Sequence, residues 1–143
     1  MKPSVFIDSN VWFSAFYKDG ICSKLLGNIK SLGQKVCISE LVLEEVIRNI
    51  QLKIPNVLTF FINYLKENKI IVLKNPSTNA LLQYDKLAHK FDLPIIVAAI
   101  EFKCNFFISG NLKDFNRQKI KKVSNIILIS PREYLEKYYF HLR

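Results

Sequence analysis

The sequence predicts an α/β fold of three layers, with helices on both sides of a mostly parallel central sheet of about five strands. Three observations lead there. Short runs of β-favouring residues, Val5-Phe6-Ile7 first among them, alternate with segments of helical periodicity. One run, Ile70–Leu73, is wholly aliphatic, as a buried parallel strand should be. No repeat, low-complexity tract or long linker divides the 143 residues, so a single domain over residues 1–143 is expected.

In chain order, strand one is expected at about Ser4–Asp8, with a helix from about Asn10. Asp19-Gly20 breaks that helix, which resumes through Lys24–Ser31 and stops at Leu32-Gly33, glycine supplying the left-handed cap. Lys35–Ile38 is a second strand, and Ser39 caps a helix to about Lys53. Ile54-Pro55 opens a helix over about Asn56–Asn68, and Ile70–Leu73 is the third strand. Thr78–Lys90 reads as a moderately amphipathic helix, and Ile95–Cys104 as a strongly apolar one with Pro94 in its first turn. Asn105–Ser109 and Asn125–Ile129 are the fourth and fifth strands, separated by a basic segment. Pro131 starts the last helix, which ends at Tyr138-Tyr139 before a short basic tail. Alternating strands and helices joined by right-handed crossovers limit the topology to a Rossmann-like, doubly wound arrangement.

Composition narrows the function. Half the residues are hydrophobic, enough for a real core, yet no apolar run approaches the roughly 18–20 residues of a membrane span. The N-terminus shows no secretory pattern. The three cysteines, Cys22, Cys37 and Cys104, fit no zinc spacing and suit reduced, buried thiols of a cytoplasmic protein. The net charge of +9 argues for a polyanionic partner, because phosphate contacts release counterions.

The acids draw attention next. Asp8 ends strand one, at the strand edge where open α/β sheets bind ligands. It is either a site carboxylate or a turn residue ahead of a helix capped by Ser9 or Asn10. At about 100° per residue, Val42, Leu43, Val46, Ile47 and Ile50 form one apolar stripe. Glu44 then faces water, and Glu45 falls at the stripe's edge, either reaching a cleft or resting as a shoulder acid beside Arg48 and Asn49. Asp92 precedes Leu93-Pro94, where helix capping alone explains an aspartate. His89 has no partner histidine at ligand spacing and reads as a surface residue. If strands one and four are neighbours, Asp8, Asp92 and the Asn111–Asp114 loop converge at one end of the sheet. Clustered carboxylates raise one another's pKa, and a divalent cation removes that cost. Hard oxygen donors with few histidines point to magnesium or manganese.

These residues carry a family resemblance. Asp8-Ser9-Asn10 resembles the opening D-[ST]-N of the PIN-domain ribonucleases. ISELVLEEV resembles their second motif and places its glutamate at Glu45. Asp92-Leu93-Pro94-Ile95 is similar to the D-x-P-I form of the third. FFISGNLKDF resembles the fourth, written T-G-D or T-G-N with a later D-F. The match covers essentially the whole chain, in order, and is most similar to the stand-alone VapC-like toxin components of toxin–antitoxin pairs. Two positions depart: Ser109 stands for the usual threonine, and Asn111 for the usual aspartate.

The resemblance implies a PIN-like fold and Mg2+-dependent (or Mn2+-dependent) hydrolysis of RNA. Asp8, Glu45, Asp92 and Asp114 would be catalytic. Asp8, Glu45, Asp92, Asn111 and Asp114 would hold metal, with Asn10 and Ser109 orienting the carboxylates. Lys113, Arg117, Lys119, Lys121 and Lys122 would hold the RNA backbone. A cognate antitoxin and homodimerisation are implied in the same way, and no membrane. Asn111 keeps a second reading in play, a degenerate PIN fold that binds RNA or a protein without cutting. A phosphatase with a D-x-D pair is disfavoured by Asn10, a nucleotide-binding Rossmann enzyme by a first turn without glycines, and a Ser-His-Asp hydrolase by histidines with no nucleophile elbow.

Overall fold

The computed structural model describes residues 2–139; the basic tail after Tyr139 lies outside them. Five strands, β1 (Ser4–Ile7), β2 (Lys35–Ser39), β3 (Ile71–Leu73), β4 (Phe106–Ile108) and β5 (Ile127–Ile129), form one sheet of order β3-β2-β1-β4-β5. Every pairing is parallel. The helices are α1 (Ser9–Tyr17), α2 (Ile21–Ser31), α3 (Glu40–Lys53), α4 (Leu58–Glu67), α5 (Thr78–Gln83), α6 (Leu93–Glu101), α7 (Arg117–Val123) and α8 (Pro131–Tyr134). The chain steps outward from β1 to β3, then crosses back to β4 and β5. Right-handed crossovers therefore put α1–α4 on one face and α5–α7 on the other. The expected three-layer α/β architecture is what the chain adopts. No helix among the described residues is long and apolar enough to cross a membrane.

Local signals set most boundaries. The Ser39 hydroxyl accepts the amide of Val42 and starts α3. Gly33, at φ +66, ends α2 with the left-handed cap, its amide donating to the Lys30 carbonyl. Three expectations are corrected. The helix expected over Thr78–Lys90 stops at Gln83. Beyond it, Ala88 bridges Phe115 antiparallel, the Asn116 amide donates to the Leu87 carbonyl at 2.7 Å, and Leu87 is buried. A weak helical stripe loses there to a tertiary pairing that its sequence does not announce. The basic segment between β4 and β5 is the helix α7, capped by the Asn116 side chain. Parallel neighbours need such a crossover. Finally, β3 is an edge strand with Val72 46% exposed, not a strand buried on both faces.

The β1–β4 pair runs through the core. Val5, Phe6, Ile7, Phe107 and Ile108 are fully buried. Phe6 and Phe107 are register partners and stack at 5.1 Å with their planes 8° apart. Phe107 also meets Phe115 edge-on at 5.0 Å, which props the loop after β4 against the sheet. Phe107→Ala should therefore lower unfolding free energy by about 3–5 kcal/mol in urea denaturation. A double-mutant cycle with Phe6→Ala should show strong coupling between the two rings.

Candidate active site

The Cα atoms of Ile7 and Ile108 are partners in the β1–β4 ladder, and the next amide, that of Asp8, donates to the Ile108 carbonyl at 2.9 Å. The residues that follow, Asp8 and Ser109, thus emerge side by side at the carboxyl end of the sheet. This is the point where the strand order reverses, the usual ligand crevice of doubly wound folds.

The cap that the sequence offered at Ser9 or Asn10 falls instead to Asp8. Its Oδ1 accepts the Ser9 amide at 2.8 Å, so Asp8 itself caps α1. Its Oδ2 accepts the Ser109 hydroxyl at 2.8 Å and the Asn10 amide nitrogen Nδ2 at 3.3 Å. Asp8 is 5% exposed. The Ser109 hydroxyl, once it has donated to Asp8, accepts the Asn111 backbone amide at 3.0 Å and Asn10 Nδ2 at 3.4 Å. Asn10 Oδ1 in turn accepts the Gly110 amide at 2.9 Å. Asn10 and Ser109 therefore fix the Asp8 carboxylate from both strand ends. Ser109 keeps the hydroxyl of a threonine and uses it here.

Glu45 joins through Ser9, whose hydroxyl donates to Glu45 Oε2 at 3.1 Å. Ser9 so bridges two carboxylates by its amide and its hydroxyl. Glu45 is half-buried while Glu44 is exposed, as the stripe on α3 requires. Asp92 stands at the start of α6, but its side chain makes no capping bond. Capping, sufficient on sequence grounds, does not account for it, and the carboxylate remains available.

The electrostatics tie these acids together. Burial, only partly offset by the Ser109 and Ser9 hydrogen bonds, pushes the Asp8 carboxyl up to about 6, and the charges of Glu45 and Asp92 add to the rise. Burial also raises Asp92, with Asp114 adding to it and His89 opposing. Asp114 sits exposed in the 3₁₀ turn Leu112–Asp114. Asn111 contributes its backbone amide to the network. No group of three or more histidine, cysteine, aspartate or glutamate side chains among the described residues is placed to hold a metal ion. The donor set matches a hard divalent cation in its chemistry alone. It consists of oxygens, its central member is desolvated, and both charges acting on that member are negative.

A PIN domain family model matches residues 5–139. The chain belongs to the PIN domain family. Members of this family are in general nucleases. A chain of the VapBC2 complex from Rickettsia felis, solved bound to a DNA fragment from its promoter, aligns with a TM-score of 0.61. The two share 16% identity over 89% of this chain and 98% of the other, a likeness of fold. No curated protein matches.

In this PIN domain the basic residues divide. Lys113 and Arg117 line an open cleft of about 860 Å³ together with Lys86, His89 and Asp114. The Arg117 guanidinium also donates to the Leu128 carbonyl on β5 at 2.8 Å, which anchors it. Lys119 and Lys122, on α7, border a second hollow beside Tyr84 and Asp85, to which Lys86 of the first also contributes, and Lys121 is exposed.

Two contributors escaped sequence reasoning. Ser9 registered only as a possible cap; the serine or threonine of D-[ST]-N was the available signal for its bridge to Glu45. Gly110 approaches Asn10 so closely that a Cβ there would lie 3.1 Å from Asn10 Oδ1. The glycine of the T-G-D or T-G-N motif was the available signal, and the tertiary contact supplies its reason.

The raised Asp8 pKa has a sign for stability. The folded protein holds this proton more tightly than the unfolded chain does between 3.8 and about 6, so the group's contribution falls as pH rises through that window. In EDTA, the unfolding free energy of the wild type should decline relative to Asp8→Asn between pH 4 and pH 7, by on the order of 3 kcal/mol. Chemical denaturation of both proteins at the two pH values checks this; a pH-independent difference would contradict it.

Proposed function

We propose that this PIN domain is a Mg2+- or Mn2+-dependent endoribonuclease and the toxin of a toxin–antitoxin pair. The observation that carries the reading is Asp8, a buried carboxylate at the sheet's switch point, raised by burial and faced by two further negative charges. Such a group is costly to keep ionised without a cation, and perturbed acids of this kind gather at functional sites. Family membership supports the nuclease chemistry, and the net charge of +9 supports a nucleic-acid substrate.

In this reading Asp8 and Asp92 hold the cation, with Glu45 beside them and Asp114, with Asn111, completing the site. Asn10 and Ser109 keep the Asp8 carboxylate in one orientation, and Ser9 does the same for Glu45. A bound divalent cation supplies charge neutralisation at the phosphate and acidifies the attacking water. Lys113 and Arg117, in the cleft beside Asp114, contact the RNA backbone, with Lys119, Lys121 and Lys122 further out. The name of the VapBC2 neighbour supports a protein antitoxin as partner, and the sequence resemblance to VapC-like toxins implies a homodimer in the cytoplasm.

Asp8→Asn should abolish divalent-cation-dependent cleavage of single-stranded RNA, with a loss of at least a hundredfold, while circular dichroism shows the fold intact. Wild-type cutting by that variant would assign the chemistry elsewhere. A second reading, a PIN domain that binds without cutting, is favoured by one residue, Asn111, where an amide replaces a carboxylate. Calorimetric titration with manganese separates the two: the nuclease reading expects binding that Asp8→Asn removes, and the second expects none together with no cleavage.

A further inference from the structure

Phe91 is 76% exposed, the most exposed large apolar side chain in the described residues. It stands one residue before Asp92, at the tip of a tight turn closed by the Asp92 and Leu93 amides, which both donate to the His89 carbonyl at 2.9 Å. Its ring stacks on the exposed His89 imidazole at 6.0 Å with the planes 25° apart. His89 is itself held in place. Its amide donates to the Asp114 carbonyl at 3.5 Å, beside the Ala88–Phe115 bridge and the Leu87–Asn116 hydrogen bond. His89 also lines the cleft that contains Lys86, Lys113 and Arg117. A short shelf thus presents two stacked aromatic rings next to three cations, and joins the site at Asp92 on one side and Asp114 on the other.

Phe91's chain neighbours, Lys90 and Asp92, are both charged, and the core lies elsewhere. Lysines and arginines near an aromatic face form the usual combination for unpaired nucleic acid, the cations holding phosphates and the ring stacking on a base. A base inside a duplex has both faces already occupied by its neighbours and is available only after unstacking.

We propose that the Phe91–His89 pair is a stacking platform for one unpaired nucleobase of the RNA, next to the phosphate that enters the Asp8–Asp92 site. This rests on the nuclease reading and adds to it the residues that would hold an unstacked base. Phe91 here is a binding and positioning residue. The cations of the neighbouring cleft hold the adjoining backbone, and the ring selects for an unstacked nucleotide whatever its identity.

Fluorescence anisotropy in EDTA tests it, with a short labelled single-stranded RNA and a blunt duplex of the same sequence as probes. Phe91→Ala should weaken single-strand binding about tenfold or more, leave duplex binding unchanged, and keep the same salt dependence, since no phosphate contact is lost. Phe91→Trp should retain affinity, and the introduced indole should be quenched by the single strand. With magnesium present, Phe91→Ala should raise KM for single-stranded RNA more than it lowers kcat. Wild-type affinity in Phe91→Ala overturns the platform and assigns the exposed ring to a protein contact instead; equal losses for single strand and duplex overturn it as well. If the wild type cleaves and Phe91→Ala is unaltered, the platform alone fails. If single-strand binding depends on Phe91 but no cleavage occurs, the platform stands and the nuclease reading fails.

Discussion

The parallel pairing of β1 with β4 is the constraint on which the rest depends. Its register sets Ile7 beside Ile108, and the ladder runs one step further through the Asp8 amide. The next side chains on the two strands, Asp8 and Ser109, must then meet. A slip of either strand by one residue would turn its side chain to the opposite face and dissolve the site. The Phe6–Phe107 stack, fully buried beneath, is what makes a slip expensive.

On that base the polar network is nearly saturated. A hydroxyl has one proton and two acceptor sites, and Ser109 uses all three, toward Asp8, Asn10 and Asn111. The Asp8 carboxylate accepts three hydrogen bonds and still sits at a pKa of about 6, so burial outweighs them. The protein thus holds a charge at a cost that its own hydrogen bonds do not cancel. Structures spend stability in this way at sites whose charge is meant for a ligand.

The same economy of placement appears at the site's outer edge. The segment Leu87–His89 leaves helical structure to pair with Asp114–Asn116, and Phe107 supports that loop through Phe115. One short antiparallel contact therefore brings together parts of the chain that begin α6 and follow β4. The basic cleft, the exposed aromatic pair and the Asp92–Asp114 side of the site all hang on it. The α7 helix is capped from within the same contact by Asn116.

Residue pattern alone determined the α/β class, the five strands, the caps at Ser39 and Gly33, and the positions of Asp8, Glu45 and Asp92 relative to their elements. These are short-range matters: alternation, helical periodicity and turn chemistry act within a few residues and leave their mark in the chain. Tertiary structure decided the rest. That β3 is an edge and that the basic segment must be a crossover helix follow from strand order, and that the helix after β3 ends at Gln83 follows from the Ala88–Phe115 pairing; no local stretch encodes either. That Asp92 begins α6 without a capping hydrogen bond is likewise visible only in the structure. Ser9 between Asp8 and Glu45, and Gly110 against Asn10, acquire their roles only when residues some 36 and 100 positions apart come into hydrogen-bonding distance. The physical reason is the same throughout: local propensity selects the elements, whereas burial and the pairing of distant strands select their neighbours.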